Sequence, residues 1–132
     1  MQQIVLLVED DSIVRKFVTA ALEQESFIVL PASNAAEALE ISFERIKIDL
    51  VFADVQLGGD INGIELAERI RRDKTETKVL VMSGLPDSEA EAADKSLPFL
   101  RKPFSHADLT GRVQEALSGT KQPISARSLP TG

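Results

Sequence analysis

Five short apolar runs alternate with stretches whose apolar residues recur at helical spacing, and four of the five runs end in an acid, a serine or a lysine. The third run constrains the chain most. In Asp49-Leu50-Val51-Phe52-Ala53-Asp54, four apolar residues lead unbroken into a carboxylate, and Val55-Gln56-Leu57-Gly58-Gly59 follows. A continuous apolar run bounded by turn residues reads as a strand buried on both faces. Asp54 then stands where that strand leaves the core, and burial there disfavours its charged form. For a lone aspartate the commoner role is a turn or a helix cap.

The other runs are Gln3 to Val8, which ends in Glu9-Asp10-Asp11, Phe27 to Leu30, closed by Pro31, Lys78 to Ser83, and Leu97 to Lys102. Pro98 near the start of the last run suits an edge strand. Between the runs, Val14, Phe17, Val18, Ala21 and Leu22 predict a helix from Ser12 to Gln24, capped by Asp11 or Ser12. Asn34 and Glu37 have capping-box spacing, and Ala35, Ala38, Leu39, Ser42, Phe43 and Ile46 follow as an inner face. Asn62 and Glu65 repeat that spacing before Leu66, Ala67 and Ile70. Pro86 to Lys95 holds alanines but no large apolar residue and predicts a short, weakly anchored fourth helix. Ser105 to Asp108 opens a last helix with Leu109, Val113, Ala116 and Leu117 on its buried stripe.

Alternation of this kind with buried strands argues for a parallel sheet covered by helices on both faces. Right-handed crossovers leave few topologies. The expected architecture is α/β and flavodoxin-like, a five-stranded parallel sheet in the order 2-1-3-4-5. In that order ligands bind where the strand order reverses, between the first and third strands. Glu9 and Asp10 end the first and Asp54 ends the third, so the topology gathers three carboxylates at that point. One domain is expected over residues 1–118, with 119–132, which contain Pro123 and Pro130, as a disordered tail or linker.

Composition excludes several classes of function. No cysteine is present, which removes disulfides, zinc thiolates and thiol nucleophiles. Residues 119–132 carry Lys121 and Arg127 and no acid, so 1–118 hold thirteen basic and twenty-one acidic side chains, a net −8. Direct nucleic-acid binding is not expected of such a body. No apolar run approaches the twenty residues of a membrane span, and no signal peptide is visible, so a cytoplasmic setting is expected.

Three neighbouring carboxylates repel one another and call for a counter-charge, for which a hard divalent cation such as Mg²⁺ is the natural partner. Ser83 and Lys102 end the next two strands. A hydroxyl and an ammonium facing a carboxylate–metal centre suit the oxygens of a phosphoryl group arriving on Asp54.

Five stretches carry a resemblance to a known family: Val5-Leu6-Leu7-Val8-Glu9-Asp10-Asp11, Leu50-Val51-Phe52-Ala53-Asp54, Asn62-Gly63-Ile64-Glu65-Leu66, Val79-Leu80-Val81-Met82-Ser83-Gly84 and Phe99-Leu100-Arg101-Lys102-Pro103-Phe104. In this order the chain resembles the receiver domains of two-component response regulators, over residues 3 to about 118. The resemblance implies Asp54 as acceptor of a phosphoryl group from a histidine kinase or phosphotransfer protein. It implies Mg²⁺ (or Mn²⁺) held by Asp10, Asp54 and the Gln56 backbone carbonyl, with Glu9 acting through water. It further implies phosphoryl contacts from Ser83 and Lys102, a cis bond before Pro103, and Phe99 as the aromatic that moves with Ser83. Gln56 and Leu85, two residues beyond Asp54 and Ser83, stand at positions that modulate phosphate lifetime in the family, and apolar Leu85 is expected to shield the acyl phosphate from water.

The chain departs from the family pattern after its acceptor. Leu57 is followed by Gly58-Gly59-Asp60 where a proline is usual, and the run to Gly63 is one residue longer than is common. That loop resembles those of receivers in hybrid sensor kinases. The short span from Ser83 to Lys102 implies a reduced fourth helix on the family's output surface. A receiver-like module that binds partners without being phosphorylated is the main alternative. A flavin carrier would need a Ser/Thr/Gly-rich phosphate cradle where Glu9-Asp10-Asp11 stand. An aspartyl-phosphate phosphatase would need an acid where Gln56 stands. The expected function is a phosphoacceptor switch rather than an enzyme with turnover, read by a downstream protein that the sequence does not name, either alone or as part of a longer chain.

Overall fold

The computed structural model describes residues 2–44 and 47–118. Its strands are β1 (Ile4–Val8), β2 (Ile28–Ala32), β3 (Leu50–Asp54), β4 (Lys78–Ser83) and β5 (Phe99–Arg101), and its helices are α1 (Ser12–Gln24), α2 (Ala35–Glu44), α3 (Gly63–Asp73), α4 (Pro86–Asp94) and α5 (His106–Leu117). All strand pairs are parallel, in the order β2-β1-β3-β4-β5. This is the flavodoxin-like order, with the reversal between β1 and β3.

Two apolar layers enclose the sheet because successive strand residues point to opposite faces. Val5, Leu7, Leu50, Phe52, Leu80 and Met82 pack with Val18, Ala21 and Leu22 of α1 and with Leu109 and Val113 of α5. Leu6, Val8, Val51, Ala53, Val79 and Val81 pack with Ala38 of α2, with Ile64, Leu66, Ala67 and Ile70 of α3, and with Ala92 of α4. β3 is buried at every position, as its unbroken apolar run requires.

Side-chain caps set the helix starts. Asp11, of the two candidates, caps α1 by accepting from the Ile13 and Val14 N–H groups. Asn62–Glu65 and Ser105–Asp108 are reciprocal capping boxes at α3 and α5. Each such cap contributes about 1 kcal/mol. The Asn34–Glu37 pair is only half a box. Asn34 accepts from Glu37 N–H, but the Glu37 carboxylate takes the N–H and hydroxyl of Ser33 instead.

Several expectations are corrected. Pro31 does not close the second strand but lies within it, opposite Leu7. An edge strand need not donate along its outer side, so proline is tolerated there. β5 is shorter than Leu97 to Lys102, although its ladder is flanked by Val81 N–H to Pro98 O and Lys102 N–H to Ser83 O. Phe43 is 73% exposed instead of lining α2. The buried residues of that helix are Ala38 and Ser42, and one position beyond Ser42 is rotated about 100° around the axis. Phe17 is 45% exposed, its ring tilted against Phe104 at the margin of the α1–α5 layer. Ile46 and the expected tail at 119–132 lie outside the described residues.

Candidate functional site

Every strand that contributes to the site ends at the same edge of the sheet. Val8 delivers Glu9 and Asp10 from β1, Asp54 is the last residue of β3, Ser83 is the last of β4, and Lys102 follows β5. Glu9, Asp54 and Ser83 are buried, Lys102 is partly covered and Asp10 is exposed. Carboxylate oxygens of Glu9, Asp10 and Asp54 lie within 4.8 Å of one another.

Lys102 joins two of these acids. Its ammonium donates to Glu9 Oε1 at 2.8 Å and to Asp54 Oδ2 at 2.7 Å. The second oxygen of each acid is also bonded, Glu9 Oε2 by the Asp11 N–H at 3.1 Å and Asp54 Oδ1 by the Gln56 N–H at 2.9 Å. The Lys102–Pro103 bond is cis. Ser83 donates its hydroxyl proton to Gln56 Oε1 at 2.7 Å and accepts from the Leu85 N–H at 3.0 Å. Leu85 is 54% exposed and lines a groove of about 400 Å³ with the loop from Val55 to Asn62 and the start of α4. Phe99 is half-buried against the layer that holds α3 and α4, and the Arg112 guanidinium donates to its carbonyl.

Three carboxylates and one ammonium leave the site with two negative charges when all are ionised. Hard oxygen donors at this spacing suit a divalent cation, so the cluster could hold a metal. Burial pushes the Glu9 carboxyl up from 4.5 to about 7, and the charge of Asp54 adds to the rise, while the Lys102 ammonium and the Asp11 N–H oppose it. Burial acts to lower the Lys102 pKa, but the bonds to Asp54 and Glu9 outweigh it and hold the ammonium above the usual lysine range.

A pH dependence follows. Folded Glu9 keeps its proton to higher pH than the unfolded chain does. Its contribution to stability is therefore fully present below about 4.5 and is lost as the pH rises through about 7. In metal-free buffer, urea unfolding of the parent and Glu9→Gln should show the difference moving in favour of the variant between about pH 5 and about pH 8. A difference that stays flat over that range would remove Glu9 as the source.

Sequence reading did not single out three participants. Ser88 in α4 is buried, and its hydroxyl accepts from Gln56 Nε2 at 2.7 Å. Arg15 of α1 donates to the Glu9 carbonyl at 2.7 Å. The backbone of Gly63 lies directly against that of Asp54. Only Gly63 left a sequence signal, as the small residue between a helix cap and the first apolar residue of its helix.

Known proteins share this architecture. Residues 5–114 match the model of the response regulator receiver domain. The response regulator receiver protein CpdR of Brucella abortus is 31% identical over 119 residues, covering 86% of this chain and 95% of that protein. The chain spans about half the length of the phosphate regulon transcriptional regulatory protein PhoB of Pseudomonas aeruginosa, which is 31% identical over 88% of this chain and 52% of its own length. The crystal structure of the receiver domain from hybrid histidine kinase CckA superposes with a TM-score of 0.72 at 30% identity, over 86% of this chain and 98% of that one. With the family match extending from β1 into α5, across every strand end that builds the acidic site, this chain belongs to the response regulator receiver domain family.

Proposed function

We propose that the protein is a phosphoacceptor switch of two-component signalling in which Asp54 takes a phosphoryl group from a histidine kinase or phosphotransfer protein. One observation carries this reading: a buried Asp54 is bonded to an ammonium beside two further acids, at the strand-order reversal of the sheet. In the transfer, an Asp54 oxygen bonds to phosphorus while the histidine N–P bond breaks, and the electron pair returns to the imidazole. Glu9, Asp10, Asp54 and the Gln56 backbone carbonyl would hold Mg²⁺ or Mn²⁺. When bound, that ion supplies positive charge against the phosphoryl oxygens.

The chain's own residues do the rest. Lys102 keeps Glu9 as a partner and turns its bond with Asp54 toward a phosphoryl oxygen. Ser83 turns its hydroxyl the same way, and Phe99 on the neighbouring strand follows it inward. The state so favoured is one that a protein partner reads, a shift between existing conformations rather than turnover of a substrate. The setting is cytoplasmic, where such donors act; among the described residues no helix is long and apolar enough to cross a membrane. Leu85 limits the approach of water to the acyl phosphate.

Intact mass after incubation with acetyl phosphate tests the reading. A gain of one phosphoryl group, about 80 Da, is expected with Mg²⁺ and not with EDTA. No gain from acetyl phosphate or from a phosphorylated kinase domain would leave a module that works by binding alone. Decay of the added mass after donor removal measures its lifetime. Leu85→Glu should shorten that lifetime several-fold, and an unchanged decay would end the shielding role.

A further inference from the structure

The side chain of Gln56 does something that neither its backbone nor its place in the loop requires. Its carboxamide is held between two hydroxyls, with Oε1 accepting from Ser83 at 2.7 Å and Nε2 donating to Ser88 at 2.7 Å. Ser83 ends β4 and Ser88 lies in the first turn of α4. The residue itself is exposed, while both hydroxyls are buried. A hydroxyl has one proton to give, so Ser83 cannot donate to Gln56 and to a phosphoryl oxygen at once.

Helix α4 is well placed to feel a change at that amide. It buries only Ser88 and Ala92 and places no large apolar side chain in the core. Its N-cap, Leu85, makes no side-chain cap. The ion pairs that tie it to its neighbours, Arg101–Glu89 and Lys95–Glu68, join exposed or partly exposed groups. Such pairs hold weakly. The first turn of α4 is tethered at Ser88 through Gln56, and elements with few buried apolar contacts are the ones that open locally.

We propose that Gln56 is a positioning residue that parks the Ser83 hydroxyl away from Asp54 and passes its release to α4 through Ser88. This rests on the phosphoacceptor reading and adds a route to the surface that does not need Phe99. Recruitment of Ser83 removes one of the two anchors of the carboxamide. The freed amide then exchanges its remaining bond with water, and the first turn of α4 loses its tether. Removing the amide has two consequences. The Ser83 proton is left without its acceptor in the resting state, so a phosphoryl group that supplies one binds more tightly. The start of α4 is loosened before any phosphoryl group arrives.

Titration with beryllofluoride, a non-covalent phosphoryl mimic, in the presence of Mg²⁺ tests this on the full chain, with amide hydrogen exchange of 86–94 as a second readout. In the parent, beryllofluoride should speed exchange at the start of α4. Gln56→Met keeps the backbone N–H and carbonyl and should bind the mimic about fivefold to tenfold more tightly, the equivalent of one ordinary hydrogen bond. Ser88→Ala keeps the Ser83–Gln56 bond and, because coupling is reciprocal, should bind the mimic more tightly than the parent but less tightly than Gln56→Met, with α4 exchange already fast and no longer responsive. A merely structural role for Gln56 would lower the melting temperature without this split between affinity and exchange. With a parent that binds the mimic, parent-like affinity in Gln56→Met, or an α4 response that survives in Ser88→Ala, would overturn the tether alone. A parent that binds no beryllofluoride with Mg²⁺ would overturn the phosphoacceptor reading and the tether with it.

Discussion

Asp54→Asn should gain no mass from acetyl phosphate or from a phosphorylated kinase domain, with or without Mg²⁺, while the parent gains one phosphoryl group. The amide is neutral and cannot form an acyl phosphate, and it withdraws one of three negative charges from the cation cluster. Folding should survive the change. The carboxamide oxygen of the variant can still accept from the Gln56 N–H that bonds Asp54 Oδ1 at 2.9 Å, and Lys102 keeps Glu9 at 2.8 Å. With less repulsion around it, the Glu9 carboxyl should titrate lower than in the parent, though burial, the larger cause of its rise, remains. Metal-free thermal melting should therefore match or exceed that of the parent, and the stabilisation that added Mg²⁺ confers should shrink. An Asp54→Asn protein that melts like the parent yet still gains about 80 Da would move the acceptor to another side chain, with Asp10 and Glu9 first in line.

Gly63→Ala is the largest stability effect to expect from a single methyl group. A Cβ at Gly63 would stand 2.0 Å from the Asp54 carbonyl oxygen, 2.7 Å from its carbon and 3.0 Å from the Val55 Cα. All three are backbone atoms and cannot rotate aside. The Gly63 N–H also donates to the Val55 carbonyl at 2.9 Å, so α3 begins in backbone contact with the end of β3. Alanine would force the helix outward, break that bond and loosen Ile64, Leu66, Ala67 and Ile70 from their layer. Overpacking against atoms that cannot yield belongs at the upper end of its range, about 3 kcal/mol or more. Urea unfolding measures the loss, and phosphoryl uptake should fall with it because the displaced atoms belong to the acceptor residue itself. Gly59→Ala is the control. Nothing lies within 4 Å of a Cβ there, so a change within about 0.5 kcal/mol is expected. If Gly63→Ala unfolded at the parent's urea midpoint, the close seat of α3 on β3 would be wrong.

These two positions differ in how far the chain announces them. Asp54 was legible because an unbroken apolar run ending in a carboxylate is a local pattern, and because five alternations leave few sheet orders, each of which fixes where strand ends meet. The starts of α1, α3 and α5 were legible for a similar reason, since a cap and the N–H groups it satisfies lie within four residues. The elements, the strand order and the set of polar groups at one edge of the sheet were thus written in the chain itself.

What covers each face, and what each exposed amide reaches, came from packing in three dimensions. Pro31 continues its strand because β2 has no neighbour on its outer side. Phe43 lies 73% exposed because the buried stripe of α2 runs through Ala38 and Ser42, and spacing alone did not show which of two adjacent positions that stripe would take. The Gly63–Asp54 approach and the Gln56 bridge between Ser83 and Ser88 join atoms from different elements. Their partners are distant in sequence or depend on how closely two backbones pack, and neither distance is written in the spacing of side chains along the chain.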